Sequence, residues 1–222
     1  MHDDSTKDER FAFLTMALVS EGVLLLIAVA AGWLLGHPAT ANLKFSVEAI
    51  GRGLIATIPL LLLMAFIDRS RIVRLVQFRE LIQRLLGKPL AACGWIDLVV
   101  VALSAGVCEE FLFRGVLEPW LCSWGSIYGI VVCNLLFGLC HSITPTYFVF
   151  ATVMGVYLSM TLRWSDEPNL IIPICCHAFY DFVAFVIVRR THLGERLRNP
   201  SNEDNSDSAE NSVICPDFPL DQ

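Results

Sequence analysis

Hydrophobic residues occupy this chain in long runs separated by short polar segments, and the runs are long enough to cross a bilayer. About 20 apolar residues in helix traverse the roughly 30 Å hydrocarbon layer. Residues 11–35 and 50–67 form the first two runs, the second containing Pro59 as a tolerable kink. Four more follow at 95–117, 125–141, 147–162 and 170–188, with Pro119, Pro145 and Pro168 marking breaks. The pattern predicts an all-α polytopic membrane helical bundle of about six transmembrane helices. Glu21 interrupts the first run. Either it faces the bundle interior or its helix is displaced towards one interface, and displacement is the expectation.

Residues 68–94 have a different pattern. Arg69, Arg71, Arg74, Arg79, Arg84 and Lys88 interleave with Ile72, Leu75, Val76, Ile82, Leu85 and Leu86 at helical spacing. That is the signature of a basic amphipathic helix on the membrane surface, solvated on one face and lipid-facing on the other. The chain thus divides into an N-terminal tail (1–10), two spans (11–67), a basic connector (68–94), a core of four spans (95–188) and a polar tail (189–222).

Composition agrees with the pattern. Of 222 residues, 55% are hydrophobic and 17% charged, outside the usual range of a soluble domain. The net charge of −6 belongs to the tail, because residues 199–222 hold six acids (Glu203, Asp204, Asp207, Glu210, Asp217 and Asp221) and no Lys or Arg. The rest is balanced, sixteen acids against sixteen bases, so nothing points to nucleic acid. The acidic, Asn- and Ser-rich tail is expected to be disordered. Twelve of the sixteen bases fall in the N-tail, the connector and the C-tail, while Lys44, Arg52, Arg114 and Arg163 fall elsewhere. The positive-inside rule then sets both termini in the cytoplasm. The short loops suggest a bacterial inner membrane. The cysteines form no C-x-x-C pair or other metal-ligand spacing and read as small apolar residues.

The costly residues lie between Cys108 and Gly115. Glu109, Glu110 and Arg114 follow an apolar run, and each ionised side chain at a helix centre costs roughly 2.5–3.5 kcal/mol. Glu110 and Arg114 are i and i+4 and can pair, whereas Glu109 projects about 100° away, free for another partner. Asn134 and His141 share a face with Gly138 between them, and His177 and Asp181 share a face at i and i+4. Three spans with intramembrane polar groups are expected to converge on one site, since separate burial would be expensive.

A carboxylate with two imidazoles suits amide hydrolysis, the carboxylate as general base and His holding or delivering protons. Zinc held by two His and a carboxylate is the alternative. The helical H-E-x-x-H signature is absent, and none of Ser104, Ser142 and Ser159 sits in a G-x-S-x-G setting. In a ladder of straight spans, Glu109, His141 and His177 would differ in depth by roughly 10 Å. Convergence therefore requires span three to continue past Gly115, to tilt, or to break near Gly115 and Pro119.

Glu109-Glu110-Phe111-Leu112-Phe113-Arg114 matches an EExxxR motif, Phe137 to His141 an FxxxH motif, and His177 to Asp181 an HxxxN/D motif. Together and in this order they resemble the CPBP intramembrane proteases, the group of Rce1-type CAAX prenyl endopeptidases and bacterial Abi or bacteriocin-processing proteins. The resemblance implies a glutamate-type endopeptidase in which Glu109 and His141 activate water. His177 and residue 181 would stabilise the oxyanion, and Glu110 and Arg114 would form a supporting pair. Asp181 stands where most members carry Asn, and an ionised Asp cannot donate to an oxyanion. It either stays protonated or orients a cationic His177. No cofactor is implied, with zinc as the alternative. The partners would be membrane lipid and a peptide or membrane-protein substrate, and a non-catalytic immunity or scaffold protein is the reading outside enzymology.

Overall fold

The computed structural model describes residues 2–198, which form helices and no strand. The helices are α1 (His2–Leu35), α2 (Val47–Arg69), α3 (Val73–Ala92), α4 (Trp95–Glu110), a π-helical segment (Phe111–Leu117), α5 (Glu118–Cys122), α6 (Ser126–Cys140), α7 (Pro145–Leu162) and α8 (Ile171–Arg198). Four of them, α1, α2, α7 and α8, are long and apolar enough to cross a membrane. α4, the π-helical segment and α5 run end to end, so the third apolar run continues past Gly115, one of the three ways in which the polar residues could converge. The apolar α6 has only 15 residues, roughly 22 Å of helix. α1 begins at His2 and α8 reaches Arg198, so polar residues outside the apolar runs extend both helices. The acidic segment 199–222 lies outside the described residues.

Local chemistry sets the helix starts. Ser46 and Thr144 cap α2 and α7, each side-chain oxygen accepting a backbone N–H three residues on, from Ala49 at 3.0 Å and Tyr147 at 3.2 Å. At the start of α4 the Asp97 carboxylate accepts the Gly94 N–H at 2.7 Å and a two-pronged contact from Arg10 at 2.6 and 2.8 Å. That clamp ties the third turn of α1 to the first turn of α4. Lys88 pairs with Glu9 at 2.8 Å, and His192 of α8 abuts Gly87 of α3, so the N-terminal end of α1 and the C-terminal end of α8 lie at the same end of the bundle. Lys44 pairs with Glu167 at the opposite end, where Lys44 holds the Glu167 carboxyl below its usual range.

α8 is the hub, packed against α4, α2, α3 and α7. Its crossing with α4 is close because Gly106 faces Ala178, where an added Cβ would stand 2.8 Å from the Ala178 methyl. This contact brings the turn carrying Glu109 and Glu110 against the turn carrying His177. The apolar side of α3 is covered by protein only in part: Ile82, Leu86 and buried Leu90 pack against Phe13, Leu98, Phe182 and Val188, while Ile72 and Leu85 stay exposed.

Glu21 also corrects the expectation of a displaced helix. The covered positions of α1 include Phe13, Leu14, Ala17, Glu21, Leu24 and Ala28, a single stripe at three- and four-residue spacing. Phe13, Leu14 and Ala17 pack in the cluster with Leu98 and Val101, whereas Leu24 and Ala28 pack with Phe111, Leu112 and Phe113. The two helices therefore run side by side in the same direction, and Glu21 faces inward, level with the last turn of α4.

Candidate active site

Glu109 and Glu110 end α4, and both are buried. Adjacent helical residues point about 100° apart, which gives the two carboxylates separate surroundings. Glu109 Oε1 lies 3.7 Å from His141 Nε2, and its Oε2 lies 3.9 Å from His177 Nε2. Glu110 Oε1 accepts from Arg114 Nη1 at 3.0 Å and lies 2.9 Å from His177 Nδ1. His177 thus spans both acids, and its Nε2 is also 3.5 Å from Asp181 Oδ2. The expected convergence is present: side chains from α4, α6 and α8 meet at one point. The depth problem is relieved because α6 stops at Cys140, so His141 is delivered at the level of Glu109 by the end of a short helix.

Tautomers follow from neighbours. His141 Nδ1 sits 2.8 Å from the Phe137 carbonyl, which can only accept, so Nδ1 carries hydrogen and Nε2 faces Glu109. The Phe137 ring stacks on His141 with centroids 4.7 Å apart and lies under the Arg114 guanidinium at 4.5 Å.

Arg114 is fully buried and binds three acceptors: Glu110, Asn134 Oδ1 at 3.2 Å and the Gly155 carbonyl at 2.8 Å. Asn134 therefore acts on Arg114, not on His141. Its amide donates to Ser159 at 2.8 Å, Ser159 donates to Glu118 at 2.6 Å, and Glu118 pairs with Arg163 at 2.5 Å. A continuous polar chain thus links His177 to Arg163 at the far end of α7. Sequence reasoning missed Glu118, although Glu110, Arg114 and Glu118 follow one another at i, i+4 and i+8. The nominal end of the span at 117 hid it. The π-helical segment accommodates an extra residue per turn and keeps Arg114 aimed at the bundle centre, a common use of such bulges at functional sites.

Ser104 and Ser142 bond only to carbonyls of their own turns, at 2.9 and 2.7 Å, and Ser159 belongs to the Glu118 chain. No serine among the described residues faces a histidine base. Nor is any group of three or more His, Cys, Asp or Glu there disposed to hold a metal ion.

A cavity of about 920 Å³ opens between α2, α3, α7 and α8. Leu61, Met64, Phe150 and Phe185 contribute apolar wall, Arg69 and Arg84 lie towards the end that holds the termini, and Asp181 lines it. It reaches the cluster through Asp181 and does not enclose Glu109.

Residues 91–183 match the family described as type II CAAX prenyl endopeptidase, Rce1-like. The matched segment contains Glu109, Glu110, Arg114, Asn134, His141, His177 and Asp181, and it excludes α1 and α2. No curated protein and no solved structure matches the chain.

Proposed function

We propose that this integral membrane protein is an intramembrane endopeptidase that hydrolyses a peptide bond with a water activated by Glu109 and His141, in the manner implied by its Rce1-like segment. The observation that carries the reading is the meeting of Glu109, His141 and His177, from three different helices, in front of the Glu110–Arg114 pair. A water donating one hydrogen to Glu109 Oε1 and the other to His141 Nε2 would present its oxygen lone pair outward. As its oxygen bonds to the substrate carbonyl carbon, one proton passes to Glu109 and the carbonyl oxygen becomes an oxyanion. As the C–N bond breaks, that proton passes to the departing amine.

His177 is the oxyanion partner in this scheme. With Glu110 on Nδ1 and Asp181 near Nε2, it acts as an imidazolium whose Nε2–H stabilises developing charge. Asp181 then orients and balances the imidazolium and does not donate to the oxyanion. Glu110, Arg114 and Asn134 hold His177 in place. In this proposal the water is activated by Glu109 and His141 without a metal.

The substrate in this proposal is a peptide or membrane-protein segment, processed as in CAAX or leader-peptide maturation, and approached through the cavity beside Asp181. The clustering of basic residues at the end that holds the termini supports cytoplasmic termini, and a bacterial inner membrane fits the compact loops. The test compares membranes expressing wild type and Glu109→Gln by mass spectrometry of new peptide termini. At least one bond is cut only by wild type, and the cut survives exhaustive chelation. Identical terminal peptides in the two membranes would reject the protease in favour of a non-catalytic immunity or scaffold role. Chelator-sensitive cleavage with bound zinc would replace the metal-free mechanism.

A further inference from the structure

Glu21 lies outside the segment that matches the protease family, and the mechanism above does not use it. Three observations bring it to the site. The α1 stripe places it between Ala17, which packs at the Leu98–Val101 level, and Leu24, which packs at the Phe111–Leu112 level, and so opposite the turn of Glu109. Its Oε2 is buried without a hydrogen-bond partner, and so is Oε2 of Glu109. Its carboxyl lies within electrostatic reach of Glu109, His141, His177 and Asp181.

The charges around it do not balance. The groups facing this region are Glu21 from α1, Glu109 and Glu110 from α4, Arg114 from the π-helical segment, His141 from α6, Tyr147 from α7, and His177 and Asp181 from α8. Four carboxyls thus face at most three cations even when both imidazoles are protonated. In a low-dielectric interior, neighbouring carboxylates without a cation between them do not both ionise; one proton is retained by the pair. Arg114 serves Glu110, His141 faces Glu109 Oε1, and His177 is divided between Glu110 on Nδ1 and, at 3.9 and 3.5 Å, Glu109 Oε2 and Asp181 on Nε2, whereas Glu21 makes no ion pair among the described residues.

We propose that Glu21 is a positioning residue of the active site: its carboxyl and the Oε2 side of Glu109 share one proton across a bridging water. Neutral Glu21 supplies the hydrogen bond that fixes Glu109. Oε1 is thereby left facing His141 as the basic oxygen, and the Glu109 carboxylate keeps one orientation through the catalytic cycle. No bond is made or broken at Glu21, so it returns unchanged after each turnover. The inference rests on the protease reading for its consequence, but the shared proton itself does not depend on that reading.

The test has two arms, both on the full-length protein purified in detergent. In infrared difference spectra, the carboxyl C=O band of a protonated acid is present at neutral pH, absent in Glu21→Gln, shifted in Glu109→Gln and retained in Asp181→Asn. A band untouched by Glu21→Gln overturns the proposal. Should that variant not fold, an unshifted band in Glu109→Gln overturns it equally. In the second arm, the peptide bond identified by the membrane comparison is assayed with Glu21→Leu and Glu21→Gln alongside their melting temperatures. Glu21→Leu lowers kcat roughly tenfold or more at unchanged KM without lowering the melting temperature, and Glu21→Gln, which keeps a donor, restores most of the rate. Full activity in Glu21→Leu overturns the positioning role. If Glu109→Gln cleaves as well as wild type, the protease reading fails, and the infrared arm still decides the shared proton.

Discussion

Replacing Arg114 by Leu tests the physical core of the site without knowledge of any substrate. The guanidinium has no exposed surface and serves Glu110, Asn134 and the Gly155 carbonyl at 3.0, 3.2 and 2.8 Å. Its removal leaves the fully buried Glu110 carboxylate with His177 as sole counter-charge and strands two neutral acceptors. Breaking one side of a buried ion pair costs about 3–5 kcal/mol, because the remaining charge stays desolvated. For a chain of this length each kcal/mol moves the melting temperature by roughly 2–4 °C, so the expected fall is roughly 6–20 °C. The assay is a thermal melt in detergent followed by tryptophan fluorescence. The double variant Glu110→Gln with Arg114→Leu removes the stranded charge while keeping an amide oxygen for His177 Nδ1. It recovers at least about 1 kcal/mol of the loss, or roughly 2–4 °C. A single variant that melts like wild type, or a double variant no better than the single, would refute the buried-pair reasoning.

Other sites give independent tests. Gly155→Ala places a Cβ 2.6 Å from Asn134 Oδ1 and 3.2 Å from Arg114 Nη2; the overpacking should cost about 1–3 kcal/mol in the same melt. Gly22→Ala meets nothing within 4 Å and lies inside α1, so as the contrasting control it should melt no lower than wild type. Asp181→Asn removes the carboxylate 3.5 Å from His177 Nε2, a charge-assisted contact of about 1.5–3 kcal/mol, so kcat/KM should fall roughly 10- to 150-fold in the peptide-cleavage assay. Undiminished cleavage would assign residue 181 to donating rather than orienting. Burial pushes the Cys93 thiol up to about 11, leaving roughly one thiolate in a thousand at pH 8. A variant that keeps only Cys93 should therefore react with maleimide at pH 8 far more slowly when folded than after denaturation in SDS, with mass spectrometry as the readout.

The helical bundle was legible because crossing a bilayer imposes length and apolarity on each span, and both are countable along the chain. The Glu110–Arg114 pair was legible for a similar reason, since helix geometry alone sets i and i+4 side by side. The grouping of Glu109 with His141 and His177 was inferable only as an economy of burial. Their actual meeting depends on the short α6, the unbroken third crossing and the close contact at Gly106, all of which are packing outcomes. Glu118 was hidden because its apolar run ended one residue earlier, although its spacing from Arg114 carries the same helical signal.

Sequence by itself determined which residues would be expensive in lipid and therefore had to be satisfied inside the bundle. Tertiary structure decided which partner satisfies each. It gave Asn134 to Arg114 and His177 to both acids, and it turned Glu21 from an expected interfacial residue into one whose carboxyl faces into the bundle. The physical reason is that cost is a property of one residue in its medium, whereas partnership depends on the rotation and depth of two helices at once.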